Sequence, residues 1–164
     1  NFKLLIEAFS NAFHDERKLI IIGDGEEKEM LKKQAELLGI SDHIVFYGVL
    51  SRSEIGKIMD ECSFFALASN SETFGVAYIE ALAKGLPVVA TKCGGPEDFV
   101  NKNNGIIVPC NNSKELTIAL KTMDKYIELY NREQISLEVY EKFSADHVAE
   151  ILENLYCRII NNVS

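Results

Sequence analysis

Phe2, Leu5, Ile6, Phe9 and Phe13 recur at the spacing of one helical face, so the chain opens in an amphipathic helix, with no turn or cap residue expected ahead of it. The period then changes. Residues 18–22 (KLIII) form a short apolar run ended by Gly23-Asp24-Gly25, which predicts a buried strand. Asp24 and Glu27 stand at capping-box spacing before a helix that runs through Leu38 and stops at Gly39. Residues 44–47 predict a second strand, and Ser51 with Glu54 repeats the capping box before Ile55, Ile58, Met59 and Cys62. A third strand over 64–68, a helix over 74–84 and a strand over 88–91 follow. Pro96 suits the first turn of a short helix, and 106–108 closes the set of strands. Asn112 with Glu115 caps a helix carrying Leu116, Leu120 and Met123, and Ser144 opens a last one carrying Val148, Ile151, Leu152, Leu155 and Ile159. No repeat, low-complexity segment or linker interrupts this series.

Short apolar strands alternating with amphipathic helices imply right-handed βαβ units, hence an α/β fold: a Rossmann-like, doubly wound parallel sheet with helices on both faces. Ligands of such sheets sit outside the carboxyl ends of the strands. The loops after Ile22, Tyr47, Ala68, Thr91 and Val108 are therefore the candidate site.

Composition narrows the ligand. The 164 residues suit a single domain, and no apolar run approaches the length of a bilayer span. With no signal peptide or lipidation motif legible, a soluble, cytoplasmic protein is expected. Cys62, Cys93, Cys110 and Cys157 lie far apart with no C-x-x-C pair, as reduced thiols rather than metal ligands would. A net charge of −8 argues against nucleic acid or an anionic membrane as partner. It leaves open a small anion held locally by backbone N–H groups at a helix start.

The stretch Ser71-Glu72-Thr73-Phe74-Gly75 joins a strand to a helix and offers such groups; Gly75 lets a ligand approach the backbone. A plain capping role for Ser71 or Thr73 fits equally well. Glu80 lies inside the helix among Ile79, Ala81, Leu82 and Ala83, where a carboxylate needs a partner or a wet cleft. Lys84 at i+4 is one candidate partner; a vicinal diol, such as that of a ribose, is another. Gly23 and Gly25, and Gly94 with Gly95, are either ligand-facing or simple turn residues. His14, His43 and His147 have no accompanying nucleophile, so no triad is expected.

With these residues in view, the chain resembles the C-terminal, donor-binding domain of the GT-B glycosyltransferases, in particular the group 1 family of mostly retaining enzymes. Glu72 and Glu80 form that family's E-x7-E signature, within the run Ser71-Glu72-Thr73-Phe74-Gly75 through Ala81-Leu82-Ala83-Lys84-Gly85-Leu86-Pro87. Gly94-Gly95-Pro96-Glu97 and Gly105-Ile106-Ile107-Val108 extend the likeness. The resemblance implies transfer of a hexose from a UDP- or GDP-sugar to a saccharide or lipid-linked acceptor, in polysaccharide or glycoconjugate synthesis, without a bound metal or other cofactor. It assigns Glu72 a catalytic, sugar-binding role, Thr73, Phe74, Gly75 and Val76 to sugar and diphosphate, and Glu80 to the ribose. Tyr47, Gly48, Val49 and Leu50 would line the nucleobase pocket, and Gly23, Gly25, Gly94 and Gly95 would add loop contacts.

The family's diphosphate-clamping Arg and Lys precede the first helix and are not in this sequence. Nor is the acceptor-binding domain, nor a first strand that would be central in a 3-2-1-4-5-6 sheet. Residues 1–164 are accordingly expected to be one donor-binding domain of a longer two-domain enzyme, inactive alone, with a gap at the sheet centre. Any peripheral membrane association would come through that longer protein. The competing readings are a nucleotide-sugar epimerase of the same fold and a catalytically silent interaction module.

Overall fold

The computed structural model describes residues 1–162; the last two residues of the expected domain lie outside the described residues. The chain runs through α1 (Phe2–Ala12), β1 (Leu19–Ile21), α2 (Lys28–Leu37), β2 (Ile44–Phe46), α3 (Arg52–Glu61), β3 (Phe65–Leu67) and α4 (Val76–Ala83). It continues through β4 (Val88–Thr91), β5 (Gly105–Val108), α5 (Ser113–Lys125), α6 (Arg132–Phe143) and α7 (Ala145–Asn162). Every strand pair is parallel, as the alternating pattern demands.

The strands form two sheets, β1–β2 and β3–β4–β5, and the pairing breaks between β1 and β3. The break falls at the sheet centre, where a gap was expected. Its physical mark is partial burial: Leu19, Ile20 and all of β3 are half-buried, whereas β4, paired on both sides, is wholly buried. Successive β4 side chains alternate between two cores, as pleating requires. Val89 joins Leu5, Ile6, Phe9, Leu116, Leu120 and Met123 on the α1–α5 face, while Val88 and Ala90 join Tyr78, Leu82, Ile135 and Val139 on the α4–α6 face.

Several local expectations are corrected. α1 does carry a cap, because the Asn1 side chain accepts the Leu4 N–H at 3.3 Å. Asp24 does not cap α2; its carboxylate instead accepts the neighbouring Gly25 N–H at 2.9 Å, and Glu27 precedes α2 with no side-chain cap. The Ser51–Glu54 capping box forms in full. The Pro96 segment is a single 3-10 turn, Gly95–Asp98. α6 was not expected at all. α7 forms as anticipated, but its apolar stripe at Val148, Ile151, Leu152, Leu155 and Ile159 is exposed. No helix among the described residues is long and apolar enough to cross a membrane.

Candidate functional site

α4 begins at Val76, two residues later than its pattern implied, because Gly75 adopts the left-handed conformation with φ +87° and cannot belong to the helix. A side chain there would also meet the Tyr78 ring at 3.0 Å. The late start has a chemical consequence. The first helical bonds reach back only to Gly75 O, so among the described residues the N–H groups of Thr73, Phe74, Gly75, Val76 and Ala77 meet no acceptor. Five consecutive unengaged donors thus stand at the positive end of a helix dipole in an otherwise acidic protein, an arrangement that favours an anion.

The loop that presents them is held rigidly. The Glu72 N–H donates to Cys93 O and its carbonyl accepts the Gly95 N–H, both at 3.0 Å, so Glu72 bridges to the loop after β4. Packing alone requires a glycine at both Gly94 and Gly95. A Cβ at Gly94 would stand 2.6 Å from Glu72 O, and one at Gly95 only 2.3 Å from Phe74 O. The Glu72 carboxylate accepts the Ser69 hydroxyl at 2.8 Å, and Ser69 O in turn accepts Thr91 Oγ1 at 2.5 Å and the Cys110 thiol at 3.5 Å. Phe74 packs edge-on against Phe99 and Phe143, at 6.1 and 5.7 Å between ring centres, which anchors its ring while its backbone N–H stays unengaged. Beneath the loop, Tyr78 donates to Leu67 O at 2.9 Å; burial first, then the neighbouring Cys93 thiol and Glu72 carboxylate, push its phenol pKa up. Burial likewise raises the Cys93 thiol.

Glu80, in the second turn of α4, is on the exposed side of the helix. Its expected helical partner is engaged elsewhere: Lys84 Nζ lies 2.9 and 3.1 Å from the Asp60 carboxylate of α3. The Glu80 carboxylate therefore has no ion-pair or hydrogen-bond partner among the described residues, although its backbone carbonyl accepts the Lys84 N–H. It lines a groove of about 270 Å³ between α3 and α4, together with Arg52, Ile55, Gly56, Met59, Ala83 and Lys84. α6 braces the far side of α4: Ser136 Oγ donates to Ala83 O at 2.7 Å, and a Cβ at Gly85 would stand 2.4 Å from Arg132 O.

The expected base-pocket residues are only partly gathered. Gly48 O accepts the Gly23 N–H at 3.2 Å, which joins the loops after β1 and β2. Tyr47 and Val49 are exposed, and neither they nor Gly48 and Leu50 line the α3–α4 groove, which begins at Arg52. A Cβ at Gly23 or Gly25 would meet open space, so crowding does not explain either glycine. Ser69 stood in the expected site loop after Ala68, but its hydrogen bond to Glu72 was not anticipated, and Arg52, Phe99 and Phe143 reach the site only through tertiary packing. No group of three or more His, Cys, Asp or Glu among the described residues is placed to hold a metal ion.

Both the sequence and the fold have counterparts among known proteins. Alpha-monoglucosyldiacylglycerol synthase of Streptococcus pneumoniae is 39% identical over 92 residues, 55% of this chain and 21% of that protein. The crystal structure of Anabaena HepE in complex with UDP-glucose superposes with a TM-score of 0.81 at 27% identity, over 94% of this chain and 44% of HepE. The lipopolysaccharide outer core galactosyltransferase WaaB, at 20% identity and a TM-score of 0.83, shares the fold over 96% of this chain and 45% of its own. The chain thus spans less than half the length of each, and in the solved structures it corresponds to the C-terminal half of a GT-B fold. The sequence model of the group 1 glycosyl transferases matches residues 1–134, so most of the chain carries the family pattern, and the chain belongs to that family.

Proposed function

We propose that the chain is the donor-binding half of a longer glycosyltransferase that moves a hexose from a nucleoside-diphosphate sugar to a saccharide or lipid-linked acceptor, with retention. The observation that carries this reading is the run of N–H groups from Thr73 to Ala77, unengaged among the described residues and set between two carboxylates that form no ion pair with any of them. The donors suit a diphosphate and stabilise its charge as it departs from the anomeric carbon. Glu72, fixed by Ser69, accepts hydroxyls of the transferred sugar. Glu80 accepts both hydroxyls of the ribose, and the loop at Tyr47, Gly48, Val49 and Leu50 borders the base. That HepE, 27% identical, has been solved with UDP-glucose supports a nucleotide-sugar donor. No metal is assigned a role in this reading.

Titration calorimetry with UDP and GDP tests it. The natural full-length protein binds at least one of them, and Glu80→Ala weakens that binding about tenfold or more, since hydrogen bonds to a charged acceptor are worth about 1.5–3 kcal/mol. Absence of binding by either nucleotide, or equal affinity in the variant, contradicts it.

A further inference from the structure

The groove between α3 and α4 holds more chemistry than the ribose needs. Its floor is apolar, formed by Ile55, Met59 and Ala83, with Gly56 leaving room where a side chain would stand. Its charged residues sort into two kinds. Lys84 is neutralised by Asp60, whereas Glu80 and Arg52 have no partner among the described residues, although both line the same groove and are opposite in charge. An exposed Arg–Glu contact is worth at most about 1 kcal/mol. Two exposed, opposite charges over an apolar floor, unpaired among the described residues, suit a flat ligand that brings a pair of donors at one end and acceptors at the other.

A nucleoside has that shape. Its ribose diol donates to Glu80, and the edge of its base reaches Arg52, the first residue of α3, directly after the loop at 47–50. A groove of about 270 Å³ holds a fragment of that size rather than a whole nucleotide sugar. We propose that Arg52 selects the base of the donor, favouring uracil and guanine over adenine. The reason is the chemistry of a guanidinium, which offers five N–H donors in a fixed plane and no acceptor. Uracil presents a carbonyl acceptor at its edge and guanine presents O6 with N7, whereas adenine places an amino donor beside its N7. The guanidinium therefore meets acceptors on two bases and a competing donor on the third.

This inference rests on the donor reading above, and the test separates the two. Affinities for UDP, GDP and ADP are measured by calorimetry on the full-length protein, on Glu80→Ala, and on Arg52→Ala and Arg52→Gln, with thermal unfolding midpoints to confirm that each variant folds. The ribose is common to all three ligands, so Glu80→Ala lowers all three affinities by the same factor. Arg52→Ala lowers the UDP and GDP affinities about tenfold and leaves ADP within about twofold, which erases the discrimination. Arg52→Gln shifts the preference toward ADP, because an amide pairs with the adenine edge. If Glu80→Ala weakens binding while Arg52→Ala lowers all three affinities equally or changes none, base selection by Arg52 is overturned and the donor reading stands. If the unsubstituted protein binds none of the three, the donor reading itself fails, and this inference with it.

Discussion

The two ends of α4 are built in opposite ways. At its start, Glu72 is tied down through its N–H, its carbonyl and its carboxylate, and the free backbone donors beside it are fixed by Gly94, Gly95 and the Phe74–Phe99–Phe143 cluster. In the second turn, the Glu80 carboxylate is exposed, unpaired among the described residues and set in an open groove, with Lys84 drawn away to Asp60. Chemistry at a developing charge gains from donors already in place, because reorganising them during reaction raises the barrier. Recognition of a ribose and base needs only accessible groups of the right polarity. The rigid end suits reaction and the open end suits recognition.

Substitutions that break the rigid end have the largest expected effect. Gly95→Ala places a methyl against Phe74 O, so the loop must move; stability falls by about 1–3 kcal/mol, read by urea denaturation, and nucleotide binding drops below detection. Retained binding at native affinity would show that the loop does not form the site. Next comes Glu80→Ala, which weakens nucleotide binding about tenfold or more while leaving the denaturation midpoint unchanged, because the carboxylate makes no hydrogen bond or ion pair among the described residues. A matching loss of stability would mean that Glu80 is structural. Ser69→Ala releases one hydrogen bond to Glu72 and lowers kcat/KM for transfer about fivefold, with nucleotide affinity held within about twofold. The smallest effect belongs to Asp60→Ala. It frees Lys84 to approach Glu80 and reduces nucleotide affinity by less than about threefold, with a stability change below about 1 kcal/mol. A larger loss would place Asp60 itself in the site.

The sequence was most legible where local chemistry decides structure. The β4 run and the Ser51–Glu54 and Asn112–Glu115 caps stand as their residues imply, because caps and apolar strands are short-range features. α6 was hidden: Ile135 and Val139 are buried, yet Leu137 and Tyr140 of the same helix are exposed, so no single apolar stripe marks it. Its one local signal was Asn131, whose side chain accepts the Gln134 N–H at 3.0 Å. The signature carboxylates were visible as a spacing, but their states were not. That Lys84 pairs with Asp60 rather than with Glu80 is decided by α3, which is 24 residues away along the chain. The late start of α4 turns on the positive φ of Gly75, which a helical pattern running through it conceals.

The central claim is that the free N–H groups after Glu72 receive a diphosphate. Backbone amide chemical shifts of the 15N-labelled protein, followed during separate titrations with UDP and uridine, test it most directly. Donor binding at this loop predicts that UDP moves the Thr73, Phe74, Gly75, Val76 and Ala77 amides strongly, while uridine at matched saturation moves residues around Glu80 and leaves these five nearly still. UDP binding that leaves all five amides unmoved would contradict it.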